Sequence, residues 1–278
     1  HDVESRGLGD VYKRQTLYQK ELKSNYKILL LFLVVITMYS SIIIAMYDPD
    51  MNSSLEILAK SMPQIFAAFG MMNIATTLLD FITNYLYGFI LIVFPFLLSV
   101  ILCYRLIGKY IDHGSMAYLL ATPLSRQQFM MTQLMVLLTA LVIVVIYAFV
   151  FISIYAWLTV KDASIDMISF LSVNIGLLGI HCLLGSLCYL SCALFNEAKL
   201  SIGFGAGLGI VFILIQMLSD VSQQFEILNY LTPLTLFDPQ SLSSGEYQAF
   251  VYVFILFVSA LLLFGIGQCL FKKRDLPL

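Results

Sequence analysis

Six apolar stretches dominate the chain, approximately residues 28–47, 84–104, 134–158, 167–194, 200–218 and 250–270, and none contains Asp, Glu, Lys or Arg. A helix rises 1.5 Å per residue, so about 20 apolar residues cross a hydrocarbon core about 30 Å thick. No water inside that core serves backbone N–H and C=O groups, so such segments must be helical. Composition points the same way: 60% of the 278 residues are hydrophobic and 12% are charged, about half the charged share of a soluble domain. The expected fold is an all-α integral membrane protein with six transmembrane helices in one domain, residues 16–278. Residues 1–15, HDVESRGLGDVYKRQ, have no apolar core and so do not form a signal peptide. They resemble translated adapter read-through and are set aside as foreign to the fold, with the natural start expected to be missing.

Charge sets the expected orientation. Lys20, Lys23, Lys27, Arg105, Lys109, Arg126, Lys199, Lys272, Lys273 and Arg274 all fall on one side of a six-span arrangement, and only Lys60 and Lys161 on the other. Cytoplasmic loops carry the Lys and Arg excess, which places both termini and the 105–133 loop in the cytosol. The outer segments are acidic instead. Residues 48–80 carry Asp48, Asp50, Glu56 and Asp80, and residues 219–248 carry Asp220, Glu226, Asp238 and Glu246. Within the former, LEILAKSMPQIFAAFGMM is apolar but interrupted by Pro63 and Gly70, as expected of an interfacial or re-entrant piece. TPLTLFDPQSLSSG in the latter has the turn chemistry of an ordered loop with short helices. A net charge of −2 gives no general attraction to nucleic acid.

The most polar stretch in the middle of the chain is DHGSMAYLLATPLSRQQF, residues 112–129. Gly114 permits a sharp turn and Ser115 can cap a helix N-terminus. Met116, Leu119 and Leu120 then make a small apolar face. Thr122-Pro123 repeats the start signal, with Thr as cap and Pro in the first helical position, and Arg126 follows in the next turn. The expectation is a short helix lying across the inner mouth of the bundle. Its face could dock into a groove on a partner or rest on lipid.

Other signals are weaker. Gly203 and Gly207 share one face of the fifth span and Gly205 and Gly209 another, a spacing that lets helices approach closely, within the subunit or at a dimer seam. Asn84, Asn174 and Gln216 are polar groups that could line a path. His181 reads as a hydrogen-bonded packing residue rather than a proton relay, and His113 as a solvated loop residue. Cys103, Cys182, Cys188, Cys192 and Cys269 all lie in apolar runs, without the loop spacing of zinc ligands or a disulfide framework. Gly108-Lys109 is followed by Tyr110 and lacks the upstream Gly of a Walker A loop, and SLSSG at 241–245 is only a faint likeness to an ATPase signature. No cofactor or metal is expected, and the absence of charge at depth weighs against ion-coupled transport.

Asp112-x-Gly114-Ser115 followed by Tyr118-Leu119-Leu120-x-Thr122-Pro123-Leu124-Ser125-Arg126 resembles the cytoplasmic signature of ABC transporter permeases of the type-2 exporter class, which usually has Glu where Asp112 stands. KELKSNYKILLLF (20–32), SMPQIFAAFG (61–70), NYLTPLTLFDP (229–239) and FKKRDLPL (271–278) are similar to the family's basic lead-in, its two outer segments and its basic tail. The resemblance implies a non-catalytic, multi-pass permease in a bacterial cytoplasmic membrane. Its connector, through Asp112, Gly114, Ser115, Met116, Leu119, Leu120, Pro123 and Arg126, would couple to a cytosolic ATPase. Two permeases and two ATPases would form the exporter, with ATP swinging the docked helices. The alternative is a stand-alone secondary transporter or a membrane structural protein.

Overall fold

The computed structural model describes residues 2–47, 57–58, 60–69, 77–112, 125–160, 165–221 and 223–273. Six helices are long and apolar enough to cross a membrane: α1 (Asp2–Ala45), α3 (Leu78–Ile111), α4 (Arg126–Thr159), α5 (Met167–Leu194), α6 (Ala198–Val221) and α8 (Tyr247–Lys273). Two short helices, α2 (Pro63–Ala68) and α7 (Pro239–Ser243), lie between spans, and no strand occurs among the described residues. Successive spans alternate in direction. One end of the bundle therefore gathers the chain before α1, the 112–125 connector, the α5–α6 turn and the end of α8. This is called the connector end, and the opposite one the far end.

Polar residues cap three of the spans, and α3 and α4 run past their apolar stretches from such caps. Thr77 and Asp80 form a reciprocal capping box that starts α3: the Asp80 N–H donates to Thr77 Oγ1 (3.1 Å) and the Thr77 N–H to Asp80 Oδ2 (3.1 Å). Ser125 and Gln128 do the same for α4, at 3.2 and 2.9 Å. Asp166 caps α5 by accepting from the N–H groups of Ile168 (3.2 Å) and Ser169 (3.4 Å) and from the Ser169 hydroxyl (2.7 Å). Hydrogen bonds from the Ser169 hydroxyl and the Ile168 amide hold the exposed Asp166 carboxyl below the usual carboxylate range. Each such cap serves N–H groups that have no partner inside the helix.

One expectation is corrected. The cap of α4 is Ser125, not Thr122, so Arg126 is the first residue of the helix rather than part of its second turn. Pro63 interrupts the outer apolar piece as expected: helical residues reach Ser61, Met62 is a bend, and Pro63 starts α2, where a missing N–H costs nothing. α2 packs on α6, burying Ala67, and the Phe69 ring meets the Phe89 ring edge-on at 5.0 Å. Leu55, Glu56, Ala59 and residues 70–72 of that piece, with the loop at Lys161 and Asp162 and the tail from Arg274, lie outside the described residues.

α5 is the hub, packed against α3, α4, α6, α7 and α8. Its composition explains the position: Gly, Ser, Cys and Ala recur along it, and without a hydrophobic driving force in lipid, close approach through small residues holds helices together. Polar cross-links add to this. Tyr189 donates to the Met130 carbonyl of α4 (3.0 Å) and accepts from Gln268 Nε2 of α8 (2.6 Å). His181 Nε2 sits 2.7 Å from the Leu91 carbonyl of α3. Pro95, four residues beyond Leu91, has no N–H to donate to that carbonyl, so the histidine supplies the missing donor. Cys188 and Cys192 are buried packing side chains of the same helix. At the far end Trp157, Tyr230 and Tyr247 are exposed, the placement of an interfacial aromatic belt.

Candidate functional site

Two regions combine polar side chains with a distinctive backbone, and each sits beside a π-helical turn of α3. The first turn is Thr83–Tyr87 at the far end and the second is Tyr104–Gly108 at the connector end. π turns of one turn's length concentrate at functional sites because the extra residue re-aims side chains.

At the connector end the second π turn places Arg105 against α1. Arg105 Nε donates to Asn25 Oδ1 (2.7 Å) and Nη2 donates to the Ser24 carbonyl (3.2 Å). Tyr110 donates to Glu21 Oε1, and Asn25 Nδ2 donates to the Glu21 carbonyl at 2.8 Å. Glu21 and Asn25 are each only 4% exposed. The Tyr110 ring meets Phe129 of α4 edge-on at 5.5 Å, and the Tyr18 hydroxyl pairs with Thr139 Oγ1 at 2.9 Å. Both stems of the connector, the end of α3 and the start of α4, are thus fastened to α1 and to each other. This clamp was not among the sequence expectations. The signal for it was an acidic and an amide residue four apart, Glu21 and Asn25, facing the same way just before an apolar span.

Of the residues expected to form the connector's docking segment, the structure places two. Asp112 ends the helical stretch that continues α3, and Arg126 begins α4. Gly114, Ser115, Met116, Leu119, Leu120 and Pro123 lie outside the described residues.

The glycines of α6 divide by face. A Cβ on Gly205 would lie 3.0 Å from Cys188 Cα and 3.2 Å from Ser191 Cβ, and one on Gly209 would lie 2.3 Å from the Phe96 ring. These two glycines let α6 close on α5 and α3. A Cβ on Gly203 or Gly207 would meet nothing within 4 Å, so that face is open.

At the far end a cavity of about 390 Å³ opens between α3, α6 and the segment 234–240. Its polar lining comes from Thr83 and Asn84 of the first π turn, Gln216 and Asp220 of α6, and Asp238 and Gln240 at the start of α7. The structure thus brings Asn84 and Gln216 to one cavity but not Asn174, whose Oδ1 accepts from the buried Tyr87 hydroxyl at 3.0 Å and whose Nδ2 donates to the Phe170 carbonyl at 2.8 Å. Among the described residues no group of three or more His, Cys, Asp or Glu is arranged to hold a metal ion.

Comparison with known proteins finds no match among curated proteins. A family match does exist: the family described as ABC-2 family transporter protein covers residues 15–276, nearly the whole chain and all six spans. The chain is a multi-pass membrane protein that belongs to the ABC-2 family of transporter proteins.

Proposed function

We propose that the chain is the membrane-spanning permease subunit of an ABC exporter in a bacterial cytoplasmic membrane, driven by ATP hydrolysed on a separate cytosolic ATPase. The family match across all six spans carries this reading. ABC-2 family permeases generally partner with a cytosolic ATPase. The Lys and Arg excess supports a cytosolic connector end. The connector then meets the ATPase through Met116, Leu119 and Leu120, with Asp112, Gly114, Ser115, Pro123 and Arg126 shaping the helix and its flanks. The clamp of Glu21, Asn25, Arg105 and Tyr110 supports force transmission, since stems tied to α1 pass on a displacement rather than absorb it. A second permease subunit meets the open Gly203 and Gly207 face, where backbones can approach closely.

The test is capture of the ATPase. The tagged chain, co-expressed with the ATPase and extracted in mild detergent, should recover it at about one ATPase per permease. Leu119→Asp with Leu120→Asp should release the ATPase without changing the unfolding profile of the membrane domain. Retention of the ATPase by that variant overturns the coupling role. A Cys introduced at position 115 in a Cys269→Ser background should resist an impermeant thiol reagent in intact cells.

A further inference from the structure

We infer that a pocket beside the clamp, at the connector end, binds the phosphate of an anionic phospholipid between Arg105 and Lys109 of α3 and Ser24 of α1. The pocket has a volume of about 90 Å³ and is lined by Glu21, Ser24, Asn25, Arg105, Lys109 and Tyr110. A single water needs about 10–15 Å³. The space therefore admits a tetrahedral oxyanion but not a whole lipid, whose other parts stay in the bilayer.

The clamp leaves donors over. Arg105 uses Nε on Asn25 Oδ1 (2.7 Å) and Nη2 on the Ser24 carbonyl (3.2 Å), and its Nη1 has no partner among the described residues. The Lys109 ammonium makes no hydrogen bond or ion pair among them. Glu21 is the one carboxylate in the lining, and it is already engaged. Its Oε1 accepts from the Tyr110 hydroxyl, and its side chain is only 4% exposed. Lys20, Lys109 and Arg105 all act on it electrostatically. Three positive charges thus surround one negative charge, and the excess calls for an anion. Like charges on neighbouring helical turns repel, so an oxyanion between Arg105 and Lys109 relieves that repulsion. It also completes charge-assisted hydrogen bonds, for which the guanidinium fork and phosphate are matched.

Position selects a lipid over free phosphate. α1 and α3 stay in contact beyond the pocket, where the Tyr39 and Phe94 rings lie 5.4 Å apart. Leu31 and Met38 follow Ser24 along α1 at seven-residue steps, and Ile101 and Leu97 precede Arg105 along α3 at four-residue steps. All four are exposed. They form an apolar flank on the bilayer side of the pocket, which suits acyl chains attached to a phosphate held at the rim. Basic pockets between spanning helices at the membrane surface recognise lipid head groups in this way.

The inference is independent of the transport reading, because the membrane fold alone brings lipid to the pocket. Native mass spectrometry of the full chain, delipidated in mild detergent, compares retention of phosphatidylglycerol and phosphatidylcholine added at equal concentration. Both carry phosphate, but only the first is a net anion, and it should be retained about fivefold more strongly. Lys109→Gln should remove most of that preference and Lys109→Arg should keep it. Lys272→Gln, at the same end of the bundle but outside the pocket, should leave it unchanged. Gel-filtration profiles identical to the parent show that the variants are folded. Inorganic phosphate at millimolar concentration should fail to displace phosphatidylglycerol; displacement reassigns the pocket to free phosphate and overturns the lipid assignment. Equal retention of the two lipids, or an equal loss in Lys109→Gln and Lys272→Gln, reduces the effect to scattered surface charge and overturns the site.

Discussion

Replacing His181 by Leu tests whether the polar contact between α3 and α5 exists to repair the helix at Pro95. The Leu91 carbonyl has lost its usual N–H partner to the proline ring and takes the histidine Nε2 instead, at 2.7 Å. A carbonyl can only accept, so the contact requires the Nε2–H tautomer. His181→Leu keeps the approximate volume but leaves that carbonyl bare in a fully buried setting. An unsatisfied buried acceptor costs about 1–3 kcal/mol, and measured interhelical hydrogen bonds in membranes lie lower, averaging about 0.6 kcal/mol. The histidine's Nδ1 is itself buried without a partner, and losing it returns part of the cost. The expected net destabilisation is about 1 kcal/mol. The sharper quantity is the coupling with Pro95→Ala. That change restores a backbone N–H to the Leu91 carbonyl, so His181→Leu in that background should cost close to nothing. The assay is reversible unfolding in lipid–detergent bicelles, followed by circular dichroism, for the four members of the cycle. If His181→Leu costs the same in the parent and in the Pro95→Ala background, within about 0.3 kcal/mol, the histidine is not serving that carbonyl and the reasoning fails.

The same unfolding assay checks four further outcomes. Gly209→Ala should destabilise by about 1–3 kcal/mol through its clash with the Phe96 ring, while Gly203→Ala and Gly207→Ala should stay within about 0.5 kcal/mol because nothing stands near them. Ser125→Ala should cost about 1 kcal/mol and raise hydrogen exchange over the first turn of α4. Tyr110→Phe, which strips Glu21 of its hydroxyl partner, should cost about 1.5–3 kcal/mol. The depressed Asp166 carboxyl stabilises the fold above its unfolded pKa near about 3.9, and that contribution disappears as pH falls through the lower folded value. Asp166→Asn should therefore be less stable than the parent at pH 7 and indistinguishable from it in strong acid.

The six spans were legible because an uncharged apolar run of about 20 residues has a single solution in lipid. Only 167–194 matches its helix end to end; the others extend past their apolar runs, since residues such as Leu78–Ile82 and Arg126–Gln133 continue a helix once a cap has started it. Thr122-Pro123 carries the same start chemistry as Ser125, and only the reciprocal bond with Gln128 distinguishes them. The π turns left no pattern, because an extra residue in a uniformly apolar run shifts no visible period. The His181 contact was half legible: Pro95 announces an orphaned carbonyl, but which side chain reaches it depends on helix packing. The far-end cavity was least legible, since Asn84, Gln216 and Asp238 are separated in sequence and meet only through the arrangement of three helices.

Every Asp, Glu, Lys and Arg of the six spanning helices stands outside the uncharged runs, close to one end of the bundle or the other. Moving one elementary charge through a membrane potential is worth about 2.3 kcal/mol per 100 mV. With no formal charge inside the low-dielectric slab, the resting voltage has nothing there to pull on. A rearrangement of these helices should produce no gating current, and work must reach them mechanically, from one rim or the other.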